Sequence, residues 1–375
     1  MSLFQARAEV LRTNRRNLAE LLHLDSPLLI CLLALAGISL FVLYSASGQN
    51  IDVIWRQAVR LGVAFLIMLA LAQLNPATLK RWTPWLFGLG ICLLLAVLFF
   101  GETGKGAQRW LDLGVFRFQP SEMMKLAMPM MVAWFLSDHP LPPTLKRLAW
   151  ACLILIVPTL LIAKQPDLGT ALLVASAGIF VLLFAGISWR LIFTSSVFLA
   201  ACAPILWYFM HDYQRQRVLT FLNPEKFPLG AGYHIIQSKI AIGSGGLYGK
   251  GWLNGTQSQL NFLPERSTDF IFAAYAEEFG LIGILALLVV YLLIIMRGLL
   301  IASQAQDSYT RLLGGSLVMT FFIYIFVNIG MVTGLLPVVG VPLPLVSYGG
   351  TSMVTLMAGF GILMSIHTHR KLLPR

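Results

Sequence analysis

Three of the four carboxylates in the stretch Pro264–Glu278 meet a long apolar segment: Asp269 stands at its mouth, and Glu277 and Glu278 lie inside it. The whole chain is only 11% charged. A carboxylate at membrane depth is costly enough to mark function by default. It can act as a general base, an ion ligand or one half of an ion pair. Asp269 follows Ser267 and Thr268, and this spacing predicts that it occupies the first turn of a helix. There the helix dipole keeps it ionised and able to accept a proton; the bland alternative is a helix N-cap. Glu277 comes to lie about 80° further around such a helix and can share a cavity with Asp269. Glu278 points nearly opposite and is expected to pair with a cation on a neighbouring helix.

Further polar groups interrupt apolar sequence. Glu122 and Lys125 are three residues apart in Gln119–Lys125, a spacing that lets them face each other on one helix side. They form an ion pair, structural or catalytic, whose depth implies a polar cavity. Lys164 and Asp167 flank a tight joint, where Asp167 is a natural N-cap. Arg109, Arg215, Arg217 and Lys239 are cations near the bilayer. They suit a phosphate-bearing partner, which arginine recognises through paired hydrogen bonds; scattered surface charge is the alternative for any one of them. Gly243–Trp252 is glycine-rich but lacks the spacing of a nucleotide-binding P-loop. Asn328–Ser352 is apolar yet broken by Pro337, Pro342 and Pro344. Irregular backbone at that depth must be buried in protein or line a cavity.

The elements that must carry these groups are transmembrane helices. The chain has 375 residues, 58% of them hydrophobic, far from the composition of a soluble domain. Apolar runs of spanning length recur at about 27–47, 55–73, 82–100, 119–137, 147–163, 168–186, 190–210, 269–297, 311–334 and 347–367. The expected fold is an all-α polytopic membrane protein of about ten transmembrane helices, one domain over 1–375. A large folded extracytoplasmic loop at 211–268 joins helices 7 and 8, and residues 1–26 form a cytoplasmic tail with no cleavable signal. Basic residues gather in short segments on the side of both termini, among them Arg15, Arg16, Lys80, Arg81, Lys146, Arg147, Arg370 and Lys371. That side is expected to be cytoplasmic. The net charge of +11 is therefore a matter of topology, and no nucleic-acid partner is expected. Cys31, Cys92, Cys152 and Cys202 each sit in an apolar run and read as small core residues.

The proline-broken Asn328–Ser352 stretch resembles the signature of the SEDS family (shape, elongation, division and sporulation), the membrane peptidoglycan glycosyltransferases. Lys105–Gly114, Phe118–Glu122 and Pro264–Phe272 reinforce the resemblance, which runs over nearly the whole chain. His211–Arg217 and Gly230–Lys239 resemble the elongation branch of the family. The resemblance implies an inverting enzyme that polymerises lipid II into glycan strands at the outer face of the bacterial inner membrane, serving elongation and rod shape. It implies Asp269 as catalytic carboxylate, with Arg109, Trp110, Glu122, Lys125, Lys164, Arg215, Arg217 and Lys239 as candidates for holding substrate or pyrophosphate. Gln119, Asp167, Glu265, Glu277 and Ser347 are candidate supporting residues. A divalent cation, Mg or Mn, is a candidate cofactor, with Asp269 a candidate ligand. A class B penicillin-binding protein is the implied transpeptidase partner, together with other proteins of the elongation machinery. A flippase for the lipid-linked precursor and a non-catalytic scaffold are the rival readings.

Overall fold

A computed structural model describes residues 22–104, 107–112, 117–202, 204, 207–208, 210, 212–226, 231–260, 262–263 and 265–369. Most of the tail expected at 1–26 lies outside them. The helices are α1 Ser26–Ala46, α2 Ile51–Ala72, α3 Pro76–Phe100, α4 Pro120–Ser137, α5 Leu145–Lys164, α6 Leu168–Phe184 and α7 Trp189–Ala201. They continue as α8 Asp212–Leu222, α9 Ala231–Gly245, α10 Thr256–Gln259, α11 Ile271–Ser303, α12 Ser308–Thr333 and α13 Thr351–Thr368. Seven of these, α1, α2, α3, α5, α11, α12 and α13, are long and apolar enough to cross a membrane. The other three expected spans are α4 with 18 residues, α6 with 17 and α7 with 13.

Local chemistry explains where these helices begin. Asp25 caps α1 by accepting from Leu28 N at 3.0 Å, with a proline following at the first helical turn. Asn75 does the same for α3 through Ala77 N at 2.9 Å, satisfying amides that have no intrahelical partner. Side chains facing outward are large and apolar, including Ile30, Trp55, Leu66, Trp85, Phe99, Leu160, Phe193, Leu285 and Leu292. Hydrocarbon accepts such a surface, whereas water would not. The interior is also apolar, with Leu28, Leu32, Met68, Met128, Leu287 and Met357 fully buried.

Two regions differ from the helical expectation. The segment between α3 and α4 forms a three-stranded antiparallel sheet of β1 Glu102–Gly104, β2 Ala107–Asp112 and β3 Arg117–Phe118. The 211–268 region folds as α8, a short 3-10 turn at Pro224–Lys226, α9 and α10, and α9 packs on α11 and α12. Helix α11 is itself kinked at Gly280, whose φ of 61° and ψ of −161° belong to a region open only to glycine. The loop after α9 takes over the interrupted helical bonds. Lys250 N and Gly251 N donate to the carbonyls of Glu277 and Glu278 at 3.0 Å each, and Leu281 N donates to Gly246 O at 3.0 Å.

Candidate active site

Asp269 lies in a tight run of turns over 265–270, before α11 begins at Ile271. It is therefore outside the first helical turn, and the N-cap position belongs to Phe270, which makes no side-chain capping bond. The turns are closed locally by Thr268 N and Phe270 N, which donate to Glu265 O at 3.1 and 3.2 Å. The Thr268 hydroxyl donates to Glu265 Oε2 at 2.6 Å. Turns closed in this way can present a side chain that a helix would turn aside.

The proline-broken stretch clamps these turns from the other side. Tyr348 N donates to Ser267 O at 2.8 Å. The Ser347 hydroxyl donates to Thr268 O at 2.6 Å while accepting from Leu343 N at 2.8 Å. Asn328 of α12, fully buried, donates from Nδ2 to both Asp269 O at 2.9 Å and Val341 O at 2.7 Å. Gly340 faces the carboxylate: a Cβ built on it would stand 3.4 Å from Asp269 Oδ2, and its φ of +77° favours glycine independently.

The same segment borders a second polar group. A Cβ on Gly169, in the first turn of α6, would stand 3.0 Å from Val339 O. Immediately before it, Asp167 caps α6 by accepting from Thr170 N at 3.2 Å, as the sequence predicts. Asp167 Oδ2 also accepts from Gln119 Nε2 at 3.1 Å and lies 3.7 Å from Arg109 Nε of β2. Arg109 Nη2 reaches Pro166 O at 2.6 Å. On α4, Lys125 Nζ pairs with Glu122 Oε1 at 2.7 Å and stands over the Tyr324 ring at 5.1 Å. The Thr355 hydroxyl of α13 donates to Glu122 Oε2 at 3.1 Å. A cavity of about 20 Å³ beside Lys125, Tyr324 and Thr355 has room for one water. Residues 339–341 are thus a wall shared by the start of α6, which Asp167 caps, and by the Asp269 carboxylate.

Other expected site residues stand apart. Glu277 takes the cation partner that the spacing predicts for Glu278, and neither is placed in a cavity with Asp269. Glu277, fully buried, pairs with Lys250 Nζ at 2.7 Å and accepts from the Thr256 hydroxyl and Gln257 N, each at 3.0 Å. Glu278 accepts instead from the Ser45 hydroxyl. The folded loop after α9 covers the Glu277 side of α11, so the cation arrives from that loop rather than from a neighbouring spanning helix. Arg215 donates to the carbonyls of Trp207 and Tyr208 at 3.0 and 2.6 Å, binding its own chain. Arg217 lies half-buried on the same helix, α8. Lys239 of α9 lies across Gly334, the left-handed C-cap of α12, where cations are favoured. Lys164 is exposed in the last turn of α5, and Trp110 is half-buried opposite Glu102 in the β1–β2 pair. Two residues of the region went unassigned in the sequence reading. Asn328 and Arg266 both lie within the motifs singled out there, and only tertiary structure shows what they touch.

A multi-helix apolar bundle with a non-helical polar site at one end defines an integral membrane protein of a particular class. Residues 25–372 match the cell cycle protein family of FtsW, RodA and SpoVE, and the chain belongs to that family. It is 58% identical over 363 residues to the peptidoglycan glycosyltransferase MrdB of Escherichia coli K12, covering 96% of this chain and 98% of that one. It is 33% identical to the peptidoglycan glycosyltransferase RodA of Treponema pallidum, over 92% of this chain and 98% of that one. Among solved structures, one describing polymerization and crosslinking by a peptidoglycan synthase complex matches with a TM-score of 0.81 and 33% identity, covering 93% of this chain and 98% of that chain. The rod shape determining protein RodA of Thermus thermophilus matches with a TM-score of 0.70 and 28% identity, covering 92% and 98%.

Proposed function

We propose that this chain, a peptidoglycan glycosyltransferase by its family, polymerises lipid II with Asp269 as general base, acting at the outer face of the bacterial inner membrane during cell elongation. The observation that carries the reading is how Asp269 is held. Its main chain is fixed by Asn328 and its neighbours by Ser347 and Tyr348, while its carboxylate faces a glycine. An acceptor hydroxyl brought there gives its proton to Asp269 as its oxygen bonds to the donor's anomeric carbon. The bond from that carbon to the phosphate oxygen breaks, and the diphosphate leaves with the electron pair. A single displacement inverts the anomeric centre.

Arg109 is the cation best placed to meet the departing diphosphate, because it flanks the shared wall and is half-buried. Lys125 and Glu122 are buried and paired; we assign them to holding α4 and α13 in register beneath the site. Among the described residues no three His, Cys, Asp or Glu side chains come together as a metal cage. The single carboxylate of Asp269 fits a divalent cation that takes its remaining ligands from substrate phosphate and water. Such an ion would neutralise charge on the diphosphate. A class B penicillin-binding protein is the proposed crosslinking partner, supported by the resemblance to a solved synthase complex. Both termini are proposed to be cytoplasmic.

Labelled lipid II given to the purified chain with its transpeptidase partner in detergent tests the reading, because detergent leaves no sides to flip between. Long strands from the parent and none from Asp269→Asn are expected. Equal polymer from both removes Asp269 from catalysis, and polymer from neither returns the flippase or scaffold.

A further inference from the structure

The turn that carries Asp269 has a second face. Ser47, Val53, Leu263, Glu265, Arg266, Ser267 and Thr268 line a cleft of about 380 Å³ beside the α1–α2 turn. Asp269 is turned toward Gly340, whereas Arg266 is turned toward Gly48: a Cβ on Gly48 would stand 3.7 Å from Arg266 Nη2. The Arg266 guanidinium is half-buried, and its Nη1 is buried without a hydrogen-bond partner. No ion pair joins it to a described carboxylate. Burial pushes its pKa down, and no neighbouring charge opposes that shift. Glu265, the one acid in the cleft, has its Oε2 taken by the Thr268 hydroxyl at 2.6 Å, and its charge acts on His234 of α9. A desolvated cation without an anion is an unfavourable arrangement unless a ligand completes it.

A second arginine approaches the same turn from below. Arg60 of α2, within a membrane span, stands 4.5 Å over the ring of Tyr348, whose amide donates to Ser267 O. An arginine at membrane depth is retained for a partner. Guanidinium groups bind phosphate oxygens through paired, charge-assisted hydrogen bonds.

We propose that the Arg266 cleft is a second anion subsite, taking the phosphate or diphosphate of a lipid-linked chain, distinct from the Arg109 side of the shared wall. This rests on the reading of the chain as an enzyme acting on lipid-linked diphosphates. Such a polymerase must hold two such chains at once, one giving and one receiving, and two anion subsites on either side of one carboxylate provide for both.

Binding to the full chain carrying Asp269→Asn, in phosphatidylcholine nanodiscs, tests this without chemistry. The probes are farnesyl diphosphate, inorganic pyrophosphate and phosphatidylglycerol added to the disc. Arg266→Gln is expected to weaken farnesyl diphosphate at least about tenfold, with Arg266→Lys recovering part of the loss. Loss of pyrophosphate binding alongside places the recognition in the phosphates, and competition by phosphatidylglycerol identifies a bilayer headgroup as an occupant. Ser47→Asp, which supplies an anion from within, is expected to block binding while raising the melting temperature. Unchanged affinity for all three probes in both Arg266→Gln and Ser47→Asp overturns the subsite. Polymer from Asp269→Asn would remove the base and leave the binding result standing.

Discussion

Asp25 and Asp269 sit at opposite ends of α1, and the fold holds them in opposite ways. Asp25 is 3% exposed and fully engaged through its side chain. It caps α1, takes Arg297 Nε at 3.0 Å and Nη2 at 2.5 Å, and lies 3.4 Å from His367 Nε2. Burial works against its charge, but the hydrogen bonds and charges of Arg297, Leu28 N and His367 outweigh it and hold the carboxyl below the usual range. It ties the start of α1 to the far ends of α11 and α13. Asp269 is anchored through its backbone carbonyl and those of its neighbours. Asp25 is placed by its side chain, so amidation there removes architecture; the main-chain bonds that place Asp269 survive amidation of its side chain.

Exchanging the two acids for their amides separates these roles. Asp269→Asn should lower polymerisation by about 10²–10⁴-fold, the range for a lost general base, with an unchanged melting temperature. Asp25→Asn should do the reverse, costing about 3 kcal/mol of stability, the low end for a broken buried pair, with turnover per folded molecule within about twofold. Breaking the anchor rather than the acid gives an intermediate result. Asn328→Ala leaves the carbonyls of Asp269 and Val341 without their donor, at about 1–3 kcal/mol, and should lower kcat more than it raises KM. Gly340→Ala should cost about 1 kcal/mol for the positive φ and reduce kcat several-fold by crowding Asp269. The smallest effect is in pH. The Asp25 carboxyl is depressed in the fold, so its contribution is complete above the unfolded value of about 3.9 and is lost as pH falls through the lower folded value. The melting difference between parent and Asp25→Asn should be flat above about pH 5 and close toward pH 3.

The spans were legible because hydrocarbon imposes length and composition on each helix separately. Asp167 was legible as a cap, and Asp269 as an acid at the edge of an apolar run, because both signals are local. What failed was tertiary. The β1–β3 sheet left no sequence periodicity long enough to read, and Asp269 moved out of α11 because clamps from Ser347, Tyr348 and Asn328 hold 265–270 as turns. The cation reached Glu277 rather than Glu278 because a loop twenty or more residues upstream folds onto α11. Arg215 is a phosphate candidate by charge, with scattered surface charge as the alternative, and only tertiary structure shows that it also donates to the carbonyls of Trp207 and Tyr208. Arg266 went unassigned although it stands three residues before Asp269; an arginine that pairs with no acid among the described residues cannot be told from any other without coordinates.

The break at Gly280 has a mechanical consequence. Residues 246–251 bond to α11 on both sides of the break, to the carbonyls of Glu277 and Glu278 before it and from Leu281 N and Ile282 N after it. The end of α9 is therefore a splint across the kink. A load placed on α9 from outside the bundle is shared between the long lipid-facing part of α11 and the short piece Ile271–Phe279, which leads directly into the turns that orient Asp269.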